Sequence, residues 1–217
     1  MVNLGLGGSA GKPLVVLCLG SHSDDIEIGC GGAILRLIKE QPNCRFCWVV
    51  FSAIGARKAE AERAAQLFVG TGRLEQLLLK EFRDGFMPFA GADVKAAFEE
   101  MKKTMSPDII FTHNRHDAHQ DHRLLSELTW NTFRNHLILE YEIPKYDGDL
   151  GQPNFFVPLD KETYQKKLRY LMDAFATQRS KHWFTEDTFL ALMRLRGMEC
   201  VAPSGYAEAF YARKVVV

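Results

Sequence analysis

The sequence has little of what a disulfide-stabilised, membrane-spanning or nucleic-acid-binding protein needs. Its five cysteines are odd in number and scattered, so we predict no disulfide framework and expect a cytoplasmic location. No stretch approaches the roughly 18 apolar residues of a membrane span, and the glycine-rich first residues do not resemble a secretory signal. Lys plus Arg and Asp plus Glu each number 27, so no basic surface for nucleic acid is predicted.

The remaining composition is that of an ordinary globular protein. The 217 residues are 47% hydrophobic and 25% charged, which suits one domain with a substantial core and would be cramped for two. No internal repeat or linker divides the chain. We therefore expect a single domain over residues 1–217.

Two of the cysteines, Cys44 and Cys47, form a C-x-x-C pair. Residues 44–51 have the pattern of a buried strand, and no second cysteine pair is present to complete a tetrahedral metal site. We interpret the pair as core packing.

Short apolar runs alternate with helix-like periodic stretches through the first half of the chain. The run from Pro13 to Leu19 ends at Gly20, as expected of a strand buried on both faces. Further strands are predicted at residues 48–51, 77–79 and 108–111, and helices around residues 34–38, 61–68 and 94–101. This alternation predicts an α/β fold with a Rossmann-like, mostly parallel sheet and helices on both faces.

The second half of the chain is less regular. We predict a strand at residues 137–139, a polar loop from Lys145 to Pro153, and a helix with its apolar face at residues 164–175. Residues 210–211 and 215–217 predict a final strand at the edge of the sheet.

Polar side chains that suit metal chemistry follow the first and fourth predicted strands. His22, Asp24 and Asp25 follow the first, and four of the seven histidines lie between residues 113 and 122, after the fourth. Ligands bind at the carboxyl ends of strands in open parallel sheets, and imidazoles with carboxylates suit zinc. Either cluster alone could be an ordinary helix start or a solvated loop, but their joint position favours a metal site.

The adjacent aspartates Asp24 and Asp25 have a chemical rationale. Neighbouring loop residues point in different directions, so Asp25 can bind a metal while Asp24 faces a water. A metal with three protein ligands keeps a position for water and brings the pKa of that water toward about 7. Asp24 would accept the proton as the water attacks an amide carbonyl, and a protonated His119 would stabilise the oxyanion.

Residues 21–32 (SHSDDIEIGCGG) and residues 119–123 (HQDHR) resemble the two motifs of the PIG-L/LmbE family of zinc-dependent sugar N-deacetylases. Weaker similarities occur at residues 57–61, 84–85 and 206–210. The sequence departs from the family most clearly at Ser23, where proline is common and would fix the backbone angle φ. No reacting group is lost by this change.

The resemblance implies a role for each matched residue. The implied zinc ligands are His22, Asp25 and His122, with Asp24 as the general base. His119 is the implied acid or oxyanion donor, and Asp121 is its electrostatic partner.

Four further residues are candidates for substrate binding. The resemblance implies that Arg57 and Asp84 contact sugar hydroxyls, although a structural ion pair explains both nearly as well. His113 and His116 could line the pocket, or they could be loop histidines packed against their neighbours.

The activity implied by the resemblance is removal of the acetyl group from an N-acetylglucosamine-type small-molecule conjugate. One alternative is a zinc amidohydrolase acting on a non-sugar amide. Another is a non-catalytic sugar- or nucleotide-binding protein, with the glycines at positions 29, 31 and 32 holding a phosphate at a helix N-terminus. The spacing differs from G-x-G-x-x-G, which favours close helix packing as the reason for these glycines. The oligomeric state stays open.

Overall fold

The computed structural model describes residues 12–216 of the chain, so residues 1–11 and 217 of the predicted domain lie outside it. The strands are β1 (Val15–His22), β2 (Arg45–Ser52), β3 (Leu74–Leu79), β4 (Ile109–His113), β5 (Leu137–Tyr141), β6 (Phe155–Pro158) and β7 (Ala207–Ala212). The α-helices are α1 (Asp25–Glu40), α2 (Ala56–Val69), α3 (Gly91–Thr104), α4 (Gln120–Thr132), α5 (Lys161–Ala174) and α6 (Glu186–Glu199). Short 3-10 turns occupy Met87–Ala90 and Ala176–Gln178.

The strands form one sheet in the order β3-β2-β1-β4-β5-β7-β6. The four pairings among β3, β2, β1, β4 and β5 are all parallel. β7 runs antiparallel to both β5 and β6. The predicted α/β fold with a mostly parallel sheet is confirmed.

Alternate residues of the central strand β1 face opposite sides of the sheet. Val16 and Cys18 pack in a core with α1, α2, α5 and α6, whereas Leu17 and Leu19 pack in a second core with α3 and α4. Because β1 is covered on both faces, every position along it favours an apolar side chain. This is why the strand has a continuous apolar run in the sequence.

The two cysteines of the C-x-x-C pair lie on opposite faces of the sheet. Cys44 packs in the core that contains α1, and Cys47 packs in the core that contains α3. Both thiols are buried and free. They cannot share a metal ion, in agreement with the interpretation of the pair as core packing.

The glycines of α1 allow close packing against the sheet and a neighbouring helix. A Cβ atom at Gly29 would lie 2.2 Å from Cδ2 of Tyr141, and one at Gly31 would lie 2.5 Å from Cε1 of Phe68. Both glycines lie inside α1, which begins at Asp25. This position argues against a phosphate-binding turn and supports the packing interpretation.

The predicted strand at residues 210–211 is present as part of β7, but its predicted position at the edge of the sheet is wrong. β7 lies between β5 and β6, so β6 forms this edge and β3 forms the other. Val215 and Val216 are in no strand, and residue 217 lies outside the described residues. Residues 207–210 are buried, because an interior strand is covered on both faces. An apolar strand pattern does not reveal which strands lie beside it.

The helix α6 has no apolar stripe that could predict it. Phe189 and Met193 are buried, whereas Leu195 and Met198 on the same helix are exposed.

Within residues 12–216, no helix has both the length and the apolar character needed to cross a bilayer.

Candidate metal centre and active site

The candidate site lies where the direction of chain progression across the sheet reverses. β2 and β3 follow β1 on one side, while β4 pairs with the other side of β1 and continues to β5. Such a reversal opens a crevice at the carboxyl ends of the two central strands. β1 ends at His22 and β4 ends at His113, so both motif segments begin at this crevice.

Three atoms that can bind a metal form a small triangle in the crevice. His22 Nδ1 lies 3.2 Å from His122 Nε2 and 3.3 Å from Asp25 Oδ2, and the last two atoms are 3.5 Å apart. Ligand atoms about 2.0–2.1 Å from a tetrahedral zinc ion are separated by roughly 3.3 Å. The triangle therefore has the size of one face of a zinc tetrahedron.

A second set of possible ligands lies on the opposite side of the His22 ring. The Nε2 atom of His22 is 3.0 Å from Asp84 Oδ1 and 3.4 Å from Asp121 Oδ2. However, the Asp121 carboxylate already accepts the backbone N–H groups of Gly85 and Met87, at 2.7 and 3.1 Å. The triangle at Nδ1 contains the three ligands that the motifs imply, so we take it as the candidate metal site.

His113 lies beneath the triangle. Its ring stacks on that of His122 with 3.9 Å between centroids, and its Nε2 lies 3.2 Å from Asp25 Oδ2. The same nitrogen accepts the backbone N–H of Ser21 at 3.0 Å. Asp25, His113 and His122 also form a possible metal-binding group, but the Nε2 lone pair of His113 already accepts the Ser21 N–H. We therefore assign the His113 ring to packing against His122.

Asp25 is held in its ionised form. Burial opposes ionisation, but the imidazoles of His122, His113 and His22 outweigh it and hold the pKa of Asp25 well below its usual range. The backbone N–H of His22 also donates to Asp25 Oδ2 at 2.6 Å. Burial alone would lower the pKa of His22, but Asp25, Asp121 and Asp84 raise it well above the ordinary value. Metal binding would release the His22 proton.

Asp117 sets the orientation of His122. Its Oδ2 atom lies 2.9 Å from His122 Nδ1, and its Oδ1 atom accepts the backbone N–H of His119 at 2.8 Å. A proton on Nδ1 leaves Nε2 free to bind a metal. Burial lowers the pKa of His122 to about 4, so the ring is neutral. No role was predicted for Asp117, whose only signal in the sequence is its position among the histidines of residues 113–122.

Asp24 is buried beside the triangle without belonging to it. Its Oδ1 atom lies 3.4 Å from Arg57 Nη2. Burial and the charge of Asp25 raise the pKa of Asp24, and the Arg57 guanidinium opposes this rise. A raised carboxylate pKa suits a group that accepts a proton near neutral pH.

His119 forms the N-cap of α4. Its Nδ1 accepts the backbone N–H of Asp121 at 3.2 Å, so the proton of the neutral ring is on Nε2. Burial and the charge of His22 lower the pKa of His119. The backbone N–H of Asp121 thus contacts the His119 ring. The Asp121 carboxylate instead binds the backbone of the loop after β3 and connects that loop to α4.

The other predicted substrate-binding residues lie in different environments. Arg57 Nη1 and Asp84 Oδ2 are 3.1 Å apart; Arg57 is in the first turn of α2, and Asp84 is on the loop after β3. A hydrogen bond with His22 holds the pKa of Asp84 below its usual range, although burial opposes this. His116 is exposed, and its backbone N–H donates to the side chain of Asn114. The structure brings the His116 ring into no contact with the triangle.

Comparison with known proteins identifies the family. The sequence model of PIG-L, described as GlcNAc-PI de-N-acetylase, matches residues 17–133, more than half of the chain. The chain therefore belongs to the PIG-L family of deacetylases, which are hydrolases that act on amides.

Individual relatives show how far this likeness extends. The uncharacterized deacetylase YaiS of Escherichia coli K12 is 29% identical over 175 residues, which cover 75% of this chain and 91% of YaiS. The structure of N,N'-diacetylchitobiose deacetylase from Pyrococcus horikoshii is similar, with a TM-score of 0.67, 19% identity, and coverage of 92% of this chain and 83% of that one. GalB, a 4-carboxy-2-hydroxymuconate hydratase from Pseudomonas putida KT2440, has a TM-score of 0.71, 15% identity, and coverage of 94% and 98%. Because a hydratase shares the fold, the fold alone does not determine the reaction.

Proposed function

We propose that the protein is a zinc-dependent deacetylase that removes the acetyl group from an N-acetylglucosamine-type conjugate. The observation that carries this proposal is the triangle of His22, Asp25 and His122 with Asp24 beside it. Two imidazoles and one carboxylate are a donor set that suits zinc. Family membership supports the deacetylation.

His22, Asp25 and His122 would hold the ion through the three atoms of the triangle. When bound, a zinc ion lowers the pKa of a coordinated water and polarises a carbonyl oxygen. Asp117 holds the His122 ring in place, and the backbone N–H of His22 holds the Asp25 carboxylate.

Asp24 acts as the general base. It accepts a proton from the attacking water as the water oxygen bonds to the acetamide carbonyl carbon. The proton passes from Asp24 to the departing nitrogen as the carbon–nitrogen bond breaks, which gives acetic acid and an amine; the carboxyl proton then moves to the amine, so the products at neutral pH are acetate and an ammonium group. The raised pKa of Asp24, caused by burial and by Asp25, suits both transfers.

His119 donates a hydrogen bond from Nε2 to the oxyanion that develops on the carbonyl oxygen. From the sequence, we predicted a protonated His119 ring for this step. Because Nδ1 accepts the N–H of Asp121, the neutral ring already carries its proton on Nε2. This N–H group can donate a hydrogen bond to the oxyanion. The lowered pKa of His119, caused by burial and then by His22, favours this neutral donor.

Arg57 and Asp84 bind hydroxyl groups of the sugar. Their side chains are 21% and 54% exposed, and both are within 3.4 Å of a residue of the reaction centre. His113 is not proposed as a substrate contact, because it is fully buried. The proposed substrate is a small molecule, and the five free cysteines support a cytoplasmic location.

An acetate-release assay on the zinc-loaded protein tests the proposal. The substrates are N-acetylglucosamine conjugates and, for comparison, N-acetyl amino acids. We expect Asp24→Asn to retain zinc and to lower kcat by about 10²-fold or more. Asp93→Asn, which changes an exposed carboxylate at the start of α3, is expected to act like the wild type.

Three outcomes would count against the proposal. Full activity of Asp24→Asn would remove Asp24 as the base. Release of acetate from the amino acids alone would favour an amidohydrolase for non-sugar amides. Failure of the wild type to hold any divalent metal would favour a binding protein without catalysis.

A further inference from the structure

Lys145 is a nearly buried cation that has no part in the mechanism above. It follows β5, and its side chain is only 9% exposed. Its Nζ atom lies 3.0 Å from Asp117 Oδ1, 2.5 Å from Asp149 Oδ2 and 4.0 Å from Asp147 Oδ2. Lysine is rarely buried unless it is paired, so these carboxylates explain its position.

Asp117 connects Lys145 to the metal triangle. Its Oδ1 atom forms an ion pair with Lys145 Nζ at 3.0 Å and accepts the backbone N–H of His119. Its Oδ2 atom bonds to His122 Nδ1 at 2.9 Å. A continuous line of contacts therefore runs from the ammonium through the carboxylate to the imidazole.

Asp149 gives Lys145 a second, separable contact. Its Oδ2 atom accepts the backbone N–H of Ala118 at 2.6 Å as well as the Lys145 ammonium. This pair fastens the loop after β5 onto the segment that carries His119 and His122. One lysine thus contacts this segment by two routes, and only the route through Asp117 reaches the His122 ring.

Without Lys145, two carboxylates would be left close together with their shared cation removed. Asp117 is 2% exposed, and an ionised carboxylate buried beside another one without a cation is strongly unfavourable. Asp117 would be repelled by Asp149 and turn toward solvent, which weakens its bond to His122 Nδ1. The His122 ring would then be free to rotate.

We propose that Lys145 is a positioning residue of the metal centre, which acts through Asp117 to keep Nε2 of His122 directed at His22 and Asp25. The proposal rests on the proposed zinc site and is independent of the substrate. It is distinct from the fastening of the loop through Asp149.

Zinc affinity measured by competition with a chelator tests this role in the full chain. Loss of an outer partner of a metal-bound histidine costs about 10–100-fold in affinity, so we expect Lys145→Met to bind zinc at least about 10-fold more weakly. Lys145→Arg keeps the charge and should bind zinc more tightly than Lys145→Met. Asp149→Ala removes only the fastening contact, so it should lower the melting temperature of the metal-free protein while its zinc affinity stays close to wild type.

Several results would overturn the role. One is a zinc affinity of Lys145→Met equal to that of the wild type. The others are a loss of zinc affinity in Lys145→Arg, or in Asp149→Ala, as large as the loss in Lys145→Met. If Lys145→Met does not fold, the double variant Lys145→Met/Asp149→Ala removes the opposing charges together and is compared with Asp149→Ala; equal affinities would then overturn the role. A wild type that binds zinc but releases no acetate refutes only the proposed deacetylation, whereas a wild type that binds no zinc refutes both.

Discussion

The ring atoms Nδ1 of His22 and Nε2 of His122 lie 3.2 Å apart, although 100 residues separate them in the chain. They meet because β1 and β4 pair in parallel, so the segments that follow both strands enter the same crevice. His22 is the last residue of β1, and His122 is in the first turn of α4. Any metal chemistry therefore depends on the packing of α4 against the sheet.

Replacing either histidine of the triangle should abolish tight zinc binding. We expect His22→Ala and His122→Ala each to weaken zinc affinity by more than about 100-fold, since loss of an outer partner alone costs 10–100-fold. Elemental analysis after dialysis and a chelator titration measure this. His182→Ala, which removes an exposed imidazole, is the matched control. Stoichiometric zinc in either triangle variant would disprove the ligand assignment.

The pH dependence of the reaction should respond to Arg57. Asp24 must be ionised to accept a proton, so activity falls as the pH falls through its pKa. The Arg57 guanidinium, 3.4 Å away, lowers that pKa against the effects of burial and Asp25. Arg57→Met should therefore move the acid limb of kcat/KM to higher pH.

A shift of the acid limb along the pH axis distinguishes a changed pKa of Asp24 from a loss of sugar binding. A weaker contact with substrate lowers kcat/KM at every pH, whereas a changed Asp24 pKa shifts the profile along the pH axis. Both enzymes are compared with zinc at saturation, and Arg57→Lys should keep the limb near its wild-type position. An unshifted limb in Arg57→Met would show that Arg57 does not control the base.

The stability of the protein should be sensitive to a single methyl group on α1. A Cβ atom at Gly29 would lie 2.2 Å from Tyr141 Cδ2, and Tyr141 is held by a hydrogen bond from its hydroxyl to the Leu19 carbonyl at 2.6 Å. We expect Gly29→Ala to lower the free energy of unfolding by about 1–3 kcal/mol. Gly91→Ala adds the same group to another helix in open space and should not destabilise. Urea denaturation of the two variants and the wild type measures these free energies of unfolding.

A buried ion pair between α5 and β7 should matter far more than an exposed one. Lys167 Nζ lies 2.6 Å from Glu208 Oε1 and also 2.6 Å from the carbonyl oxygen of Ile28. Lys167→Met would leave the Glu208 carboxylate buried without its cation, at a cost of about 3–5 kcal/mol. Lys39→Met removes an exposed partner of Glu162 and should cost at most about 1 kcal/mol. Equal unfolding free energies for the two variants would contradict this.

The parallel half of the fold could be predicted because its signals are local. An apolar run such as residues 13–19 ends at a glycine, and the next helix has its own apolar spacing, so each element is recognisable by itself. The order of the last strands could not be predicted, because β7 enters the sheet between β5 and β6. That choice depends on long-range pairing, which leaves no period in the sequence.

The residues that meet at the triangle were predictable because they follow two strand ends at motif spacing. Their supporting contacts were not. Asp117 bonds to the ring of His122 and Lys145 holds Asp117, and both contacts depend on how two loops lie against each other. Similarly, the backbone contact between Asp121 and His119 depends on the first turn of α4.

The position of β7 has a consequence for synthesis on the ribosome. β6 pairs only with β7 among the strands of the sheet, and β7 follows every other strand in the chain. The nascent protein can assemble β1 to β5 while β6 still has no partner, and residues 142–154, which connect β5 to β6 and include Lys145, stay anchored at one end only. We therefore expect the loop that carries Lys145 to be fixed in place late, after the strands that carry the catalytic residues have paired.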